Sequence, residues 1–120
     1  MAEISTEIEI DACPECVWKV LTDFPAYPQW NSGMYEIRGE AKPGTWLDVR
    51  VRPVGRLSVG FRVTVLRAVF GRELCWRGQL LLPRLFAGDH FFTIEPLGNG
   101  RVRFVQREVY TGLLVPVIML

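Results

Sequence analysis

From residue 34 onward the chain is a succession of short alternating segments cut by glycine and proline, and no other feature limits its fold as much. Leu47, Val49 and Val51 alternate with Asp48, Arg50 and Arg52, and Phe61, Val63 and Val65 with Arg62 and Thr64. A period of two is the pattern of strands with one buried face. It predicts strands over Met34 to Gly39, Thr45 to Arg52, Val59 to Val69, Glu73 to Leu81, His90 to Pro96 and Arg101 to Tyr110. The breaks fall at Lys42-Pro43-Gly44, Pro53 to Gly55, Gly71, Pro83 and Leu97 to Gly100. Connections this short favour antiparallel neighbours, because parallel ones need crossovers of a dozen residues or more. An earlier strand over Glu3 to Ile10, with Ile4, Thr6, Ile8 and Ile10 on one side, brings the number to seven.

Between the first and second strands lies a helical segment. Pro14 suits a first helical turn, where its missing N–H costs nothing, and Val17, Trp18, Val20 and Leu21 form an apolar stripe ending near Thr22. The run TDFPAYPQWN then stops the helix, since Pro25 and Pro28 lack an N–H and push their preceding residues out of the α region. Phe24, Tyr27 and Trp30 are expected to cover this bend, and Asn31 to close it through its side chain. At the other end, Gly112 to Leu120 reads as the opening of a last helix.

At 120 residues the chain is a single domain, residues 1 to 120, large enough to hide roughly 65 to 70% of its unfolded surface. The net charge is +1, so no overall field recruits nucleic acid. Nine acids and three bases occupy residues 1 to 48, and four acids and eleven bases residues 49 to 120. The arginine-rich part, Arg77 and Arg84 included, is read as solvated strand faces rather than an anion site. Cys13, Cys16 and Cys75 are an odd set, and the CxxC of Cys13 to Cys16 has neither a second pair nor more than one histidine, His90, to complete a zinc site. All three are expected to be reduced, partly buried thiols, with no metal and no cofactor. The N-terminus has no signal-peptide pattern, and the longest apolar run, Leu113 to Leu120, is eight residues. Spanning a bilayer takes about 20, so the expectation is a cytoplasmic protein without a membrane span.

The strand parity places His90, Phe92 and Ile94, and Val102, Phe104, Gln106, Glu108 and Tyr110, on the inner face. A register pairing Ile94 with Val102 would set Phe92 against Phe104, His90 against Gln106 and, outside, Glu95 against Arg101. Three polar groups on an apolar surface are the candidates for chemistry. Burial disfavours the charged form of a carboxylate, which can prepare Glu108 as a general acid or base beside His90, with Gln106 orienting a carbonyl; the structural reading is a local His90–Gln106 hydrogen bond with Glu108 meeting water or an arginine. Trp76 is a candidate either to stack on a ligand or to fill the core, and Tyr35 either to present a hydroxyl to a cavity or to be a structural half-buried strand residue, while Trp18 and Trp46 are expected to pack ordinarily. No nucleophile elbow, HExxH, P-loop or GxGxxG occurs.

A strand, a helix broken by DFPxYPxWN, and a six-strand meander carrying Trp76-Arg77-Gly78 and HFFTIEPLGNGRVRF over residues 90 to 104 resemble the SRPBCC superfamily, also called START-like or Bet v 1-like. The nearest branch is the polyketide cyclase/dehydrase group of small bacterial proteins, and the resemblance covers residues 3 to about 115. It implies an α+β helix-grip fold: a curved seven-stranded antiparallel sheet with two short helices after strand one, wrapped around a long C-terminal helix with a hydrophobic cavity between. Family members usually continue some 20 to 30 residues past the position of Pro116, so the C-terminal helix is expected to be truncated here, and a homodimer or exchanged C-terminal segment to cover the concave face. The function expected is binding of a small hydrophobic or amphipathic ligand, such as a lipid, sterol or polyketide, by Trp30, Tyr35, Trp76, His90, Phe92, Phe104, Gln106 and Glu108. The alternatives are a cyclase or dehydratase using His90 and Glu108, and an interaction module docking a partner chain on that face.

Overall fold

The computed structural model describes residues 2–52, 58–79, 85–113 and 115. The first strand, β1 (Ala2–Ile10), leads into helix α1 (Pro14–Thr22) and a 3-10 helix (Phe24–Gln29). Six strands follow: β2 (Met34–Arg38), β3 (Trp46–Val51), β4 (Val59–Val69), β5 (Glu73–Gln79), β6 (Ala87–Gly98) and β7 (Arg101–Thr111). They form one antiparallel sheet in the order β1-β7-β6-β5-β4-β3-β2, a meander whose last strand returns beside the first. Irregularities between Met34 and Glu36, Val65 and Arg67, and Pro96 and Gly98 each add a residue to one strand. Such bulges bend and twist the strands that carry them, and they curl this sheet around its apolar face.

The broken helix is the corner expected from the prolines. Both Pro25 and Pro28 lie inside the 3-10 helix, where Phe24 and Tyr27 are buried and the Tyr27 hydroxyl donates to the Leu21 carbonyl at 2.6 Å. Asn31 Oδ1 accepts from the backbone N–H groups of Gly33 and Met34, at 3.1 and 2.9 Å, and turns the chain into β2. Beneath the corner lies the larger apolar cluster, which runs from Leu21, Phe24 and Tyr27 across Ile37, Leu47, Val49, Val63 and Val65 to Leu74, Trp76 and Phe92. A second, smaller cluster sits where α1 crosses the β6–β7 hairpin, and joins Val17 to Ile94 and Val102.

Several expectations need correcting. The β6–β7 register is displaced by two: Ile94 pairs with Phe104, Phe92 with Gln106 and His90 with Glu108. Asn99 and Gly100 both have positive φ, 55° and 71°, as a two-residue hairpin turn of the type favoured by strand twist requires. Gly98 therefore pairs with Arg101 and Leu97 is the bulged residue, so Glu95 meets Arg103 at 3.3 Å rather than Arg101. β6 also starts earlier than expected, at Ala87. Trp46 is not core: it is 62% exposed on the convex face, with the Arg62 guanidinium 4.6 Å above its ring. Its position has the parity of Asp48 and Arg50, and the apolar ring is covered by a cation instead of a core. Cys13 and Cys16 are not reduced thiols but a disulfide, since the first turn of α1 brings their Cα atoms to 5.1 Å, within bridging range. Cys75 is free and buried. Arg77 is a surface residue, paired with Asp89 through two hydrogen bonds of 2.6 and 2.9 Å. Arg84, the breaks at Pro53 to Gly55 and at Pro83, the end of the strand expected to reach Leu81, and the last helix apart from Gly112, Leu113 and Val115 lie outside the described residues.

Candidate ligand-binding site

Two rows of residues on the concave face build the site. In the first, Trp76 on β5 stands opposite His90 on β6, which stands opposite Glu108 on β7. In the second, Gly78 stands opposite Gly88 and Gly88 opposite Tyr110. Two adjacent glycines leave a patch of bare backbone on an otherwise crowded face, and a cavity of about 460 Å³ opens over it. Met34 and Val51 wall it on the β2–β3 side, Phe61 and Val63 on β4, and Phe86 near the start of β6. A Cβ at Gly88 would lie 2.9 Å from the Tyr110 ring, so a side chain there could be admitted only by moving that ring. At Gly78 the nearest atom to a Cβ would be Val63 Cγ1 at 3.4 Å, an ordinary contact.

His90 is the polar centre. Its Nε2 lies 3.2 Å from Gln106 Oε1 and its Nδ1 3.4 Å from Glu108 Oε1. The imidazole stacks on Phe92 with centroids 4.0 Å apart, and the edge of Trp76 meets it at 5.6 Å. Burial lowers the His90 pKa from its ordinary 6.5, while the Glu108 charge and the Gln106 hydrogen bond pull it back up. Desolvation disfavours the imidazolium, so His90 is a neutral ring at pH 7, with one N–H to give and one lone pair to accept. Next to it, burial, then the Glu108 charge and hydrogen bond, push the Tyr110 phenol up to about 12, which keeps its proton in place. A neutral imidazole, a carboxyl group and a protonated phenol thus line one wall of an apolar hollow. Such a wall can accept and return a proton, or orient a hydroxyl or carbonyl.

Of the residues expected at a site, Trp76, His90 and Glu108 line the cavity. Phe92 and Gln106 stand behind His90, and Phe104 stacks on Phe92 at 6.3 Å. Two are elsewhere. Trp30 lies against Tyr27 at 4.6 Å on the helical corner and is 52% exposed. Tyr35, on the bulge in β2, bonds its hydroxyl to Ser58 and carries the Arg52 guanidinium 4.8 Å over its ring. Met34, Phe61, Gly78 and Gly88 line the cavity without having been expected there, although the inward parity of Phe61, Gly78 and Gly88 is readable from that of Val63, Trp76 and His90; Tyr110, expected on the inner face, lines it too. Among the described residues no group of three or more His, Cys, Asp or Glu side chains is arranged to hold a metal ion, and no helix is long and apolar enough to cross a membrane.

A curved seven-stranded antiparallel sheet gripping short helices, with a hollow on its concave side, is the START-like, or Bet v 1-like, helix-grip fold. Residues 1–118 match the model of the family described as polyketide cyclase / dehydrase and lipid transport, and the chain belongs to that family. A START superfamily protein from Mycobacterium smegmatis superposes with a TM-score of 0.71 at 22% identity, over 88% of this chain and 74% of that one. A norcoclaurine synthase point mutant from Thalictrum flavum, in complex with a transition-state analogue, gives 0.74 at 17% identity, over 98% and 81%. A Nitrosomonas europaea protein gives 0.73 at 12% identity, over 92% and 75%. Identities this low speak to the fold alone. No curated protein matches the sequence.

Proposed function

We propose that the concave cavity binds a small hydrophobic or amphipathic molecule of the lipid, sterol or polyketide kind, apolar over most of its length and bearing a hydroxyl or carbonyl at one end. The observation that carries this reading is the paired Gly78 and Gly88, which hold open about 460 Å³ in a mainly apolar lining that carries His90, Glu108 and Tyr110 together and also includes Arg62, Gln79 and Asp89. That volume lies in the range of small-molecule pockets, and an apolar lining with few polar groups is how such pockets combine affinity with orientation. The test is thermal denaturation against a panel of fatty acids, sterols and aromatic polyketides, with native mass spectrometry for copurifying ligand. A ligand that raises Tm in wild type and raises it less in Phe61→Ala supports the reading; ligand-free protein unmoved by the whole panel counts against it.

A second reading is supported by the 3.4 Å approach of His90 Nδ1 to Glu108 Oε1. Convergence of these two groups is what a cyclase or dehydratase needs: a base to remove a proton next to a carbonyl and an acid to protonate a departing hydroxyl. In this reading Glu108→Gln retains ligand binding and loses turnover of a β-hydroxy or polyketone substrate, measured by product formation with matched Kd. Equal turnover by wild type and variant would exclude it.

A further inference from the structure

A second chemistry sits at the other end of the molecule, at the start of α1. Cys13 is the N-cap of that helix and Cys16 lies in its first turn, and a disulfide joins them. Cys16 is exposed and Cys13 is half-buried. The Cys13 sulfur also accepts the backbone N–H of Cys16 at 3.2 Å. The third cysteine has the opposite setting. Cys75 is buried in the sheet, and desolvation, then the charges of Asp89 and Glu73, push its thiol up to about 11, so it keeps its proton and does not react.

We propose that Cys13 and Cys16 form a reversible thiol–disulfide exchange site, open to a small monothiol of the glutathione class. The two sulfurs are not equivalent. An external thiolate attacks the exposed Cys16 Sγ, the Cys13–Cys16 bond breaks, and the electron pair leaves on Cys13. The departing Cys13 thiolate already has a donor, the Cys16 N–H, and stands at the positive end of a nine-residue helix, a setting that favours thiolates. A second external thiol then attacks the external sulfur of the mixed disulfide and frees Cys16. In sum two thiols lose two electrons and two protons, and become one external disulfide, while the protein disulfide gains them and becomes a dithiol. Oxidation runs the same steps in reverse, and Cys13 closes the ring by attacking the Cys16 mixed disulfide.

The test uses the whole chain, with alkylation and mass spectrometry after equilibration in glutathione buffers. Oxidised glutathione should leave neither Cys13 nor Cys16 alkylatable under native conditions, and millimolar reduced glutathione should expose both, with Cys75 unlabelled in each state. Cys13→Ser should accumulate a stable glutathione adduct on Cys16, because the neighbouring thiol that would resolve it is gone. The proposal fails if the wild-type pair stays alkylatable in oxidised glutathione, if the bridge survives reduced glutathione, or if Cys75 accounts for the labelling. A wild-type mixed disulfide trapped by rapid acid quench on Cys13 rather than Cys16 would overturn the assignment of Cys16 as the attacked sulfur. The wild-type titration decides the main point even where a variant fails to fold.

Discussion

His90 and Glu108 face each other across β6 and β7, with Nδ1 3.4 Å from Oε1, on a wall that is otherwise largely apolar. Because burial is the largest influence on His90, its pKa in the folded protein lies below the unfolded value of about 6.5. The unfolded chain therefore takes up the proton first as pH falls. The part of the stability that depends on a neutral His90 is complete above that value and is lost as pH drops toward the folded pKa. Tm is expected to fall between pH 7.5 and pH 5 more steeply in wild type than in His90→Phe; an equal slope in both would show that the ring does not titrate in this way.

Phe61 and Trp76 both line the cavity but differ in burial, at 42% and 3% exposed. Trp76→Ala is expected to cost about 3–5 kcal/mol by leaving a void in the main cluster. Phe61→Ala should cost about 1 kcal/mol or less and weaken ligand binding about tenfold, by removal of one apolar wall. Chemical denaturation and a binding isotherm on each variant separate the two; similar losses of stability would contradict this division.

Gly78 and Gly88 call for opposite outcomes from the same substitution. Gly78→Ala puts a methyl group into the hollow at ordinary contact distance, so it should fold normally and select for smaller ligands. Gly88→Ala drives a Cβ toward the Tyr110 ring at 2.9 Å, and should displace that ring and destabilise by about 1–3 kcal/mol. A ligand-size series on Gly78→Ala and denaturation of Gly88→Ala are the checks, and a neutral Gly88→Ala would contradict the crowding.

Tyr27 holds the proline corner through the 2.6 Å hydrogen bond from its buried hydroxyl to the Leu21 carbonyl. Tyr27→Phe keeps the ring packing but leaves that carbonyl without its partner, at an expected cost of about 1–3 kcal/mol. Equilibrium unfolding in urea measures it, and a change within error would mean that another donor replaces the hydroxyl.

Strand order and the inward-facing residues were legible because the side-chain period of a strand is two. The β6–β7 register differs from expectation by two residues, an even shift, which changes every partner and leaves every face unchanged. His90, Gln106 and Glu108 therefore lie on the expected surface with different cross-strand partners, and the expected His90–Gln106 hydrogen bond forms all the same, at 3.2 Å. The error lay in Leu97 to Gly100, where Asn99-Gly100 makes a tighter turn and Leu97 a bulge. Tyr35 is the half-buried strand residue that was the structural alternative for it, and a bulge on β2 interrupts the alternation there. Trp46 was judged by its hydrophobicity although its parity pointed outward. The cysteine pair shows a different limit: spacing says that two sulfurs are near in the chain, and only the turn of α1 brings their Cα atoms into bridging range.

The small cluster of Val17, Ile94 and Val102 and the bare patch at Gly78 and Gly88 occupy opposite stretches of β6 and its neighbours. With the proposed function, anchorage and recognition would share strands but not side chains. A lineage carrying this domain would then have room to exchange one ligand for another at the glycine end while the hairpin end keeps its grip on α1.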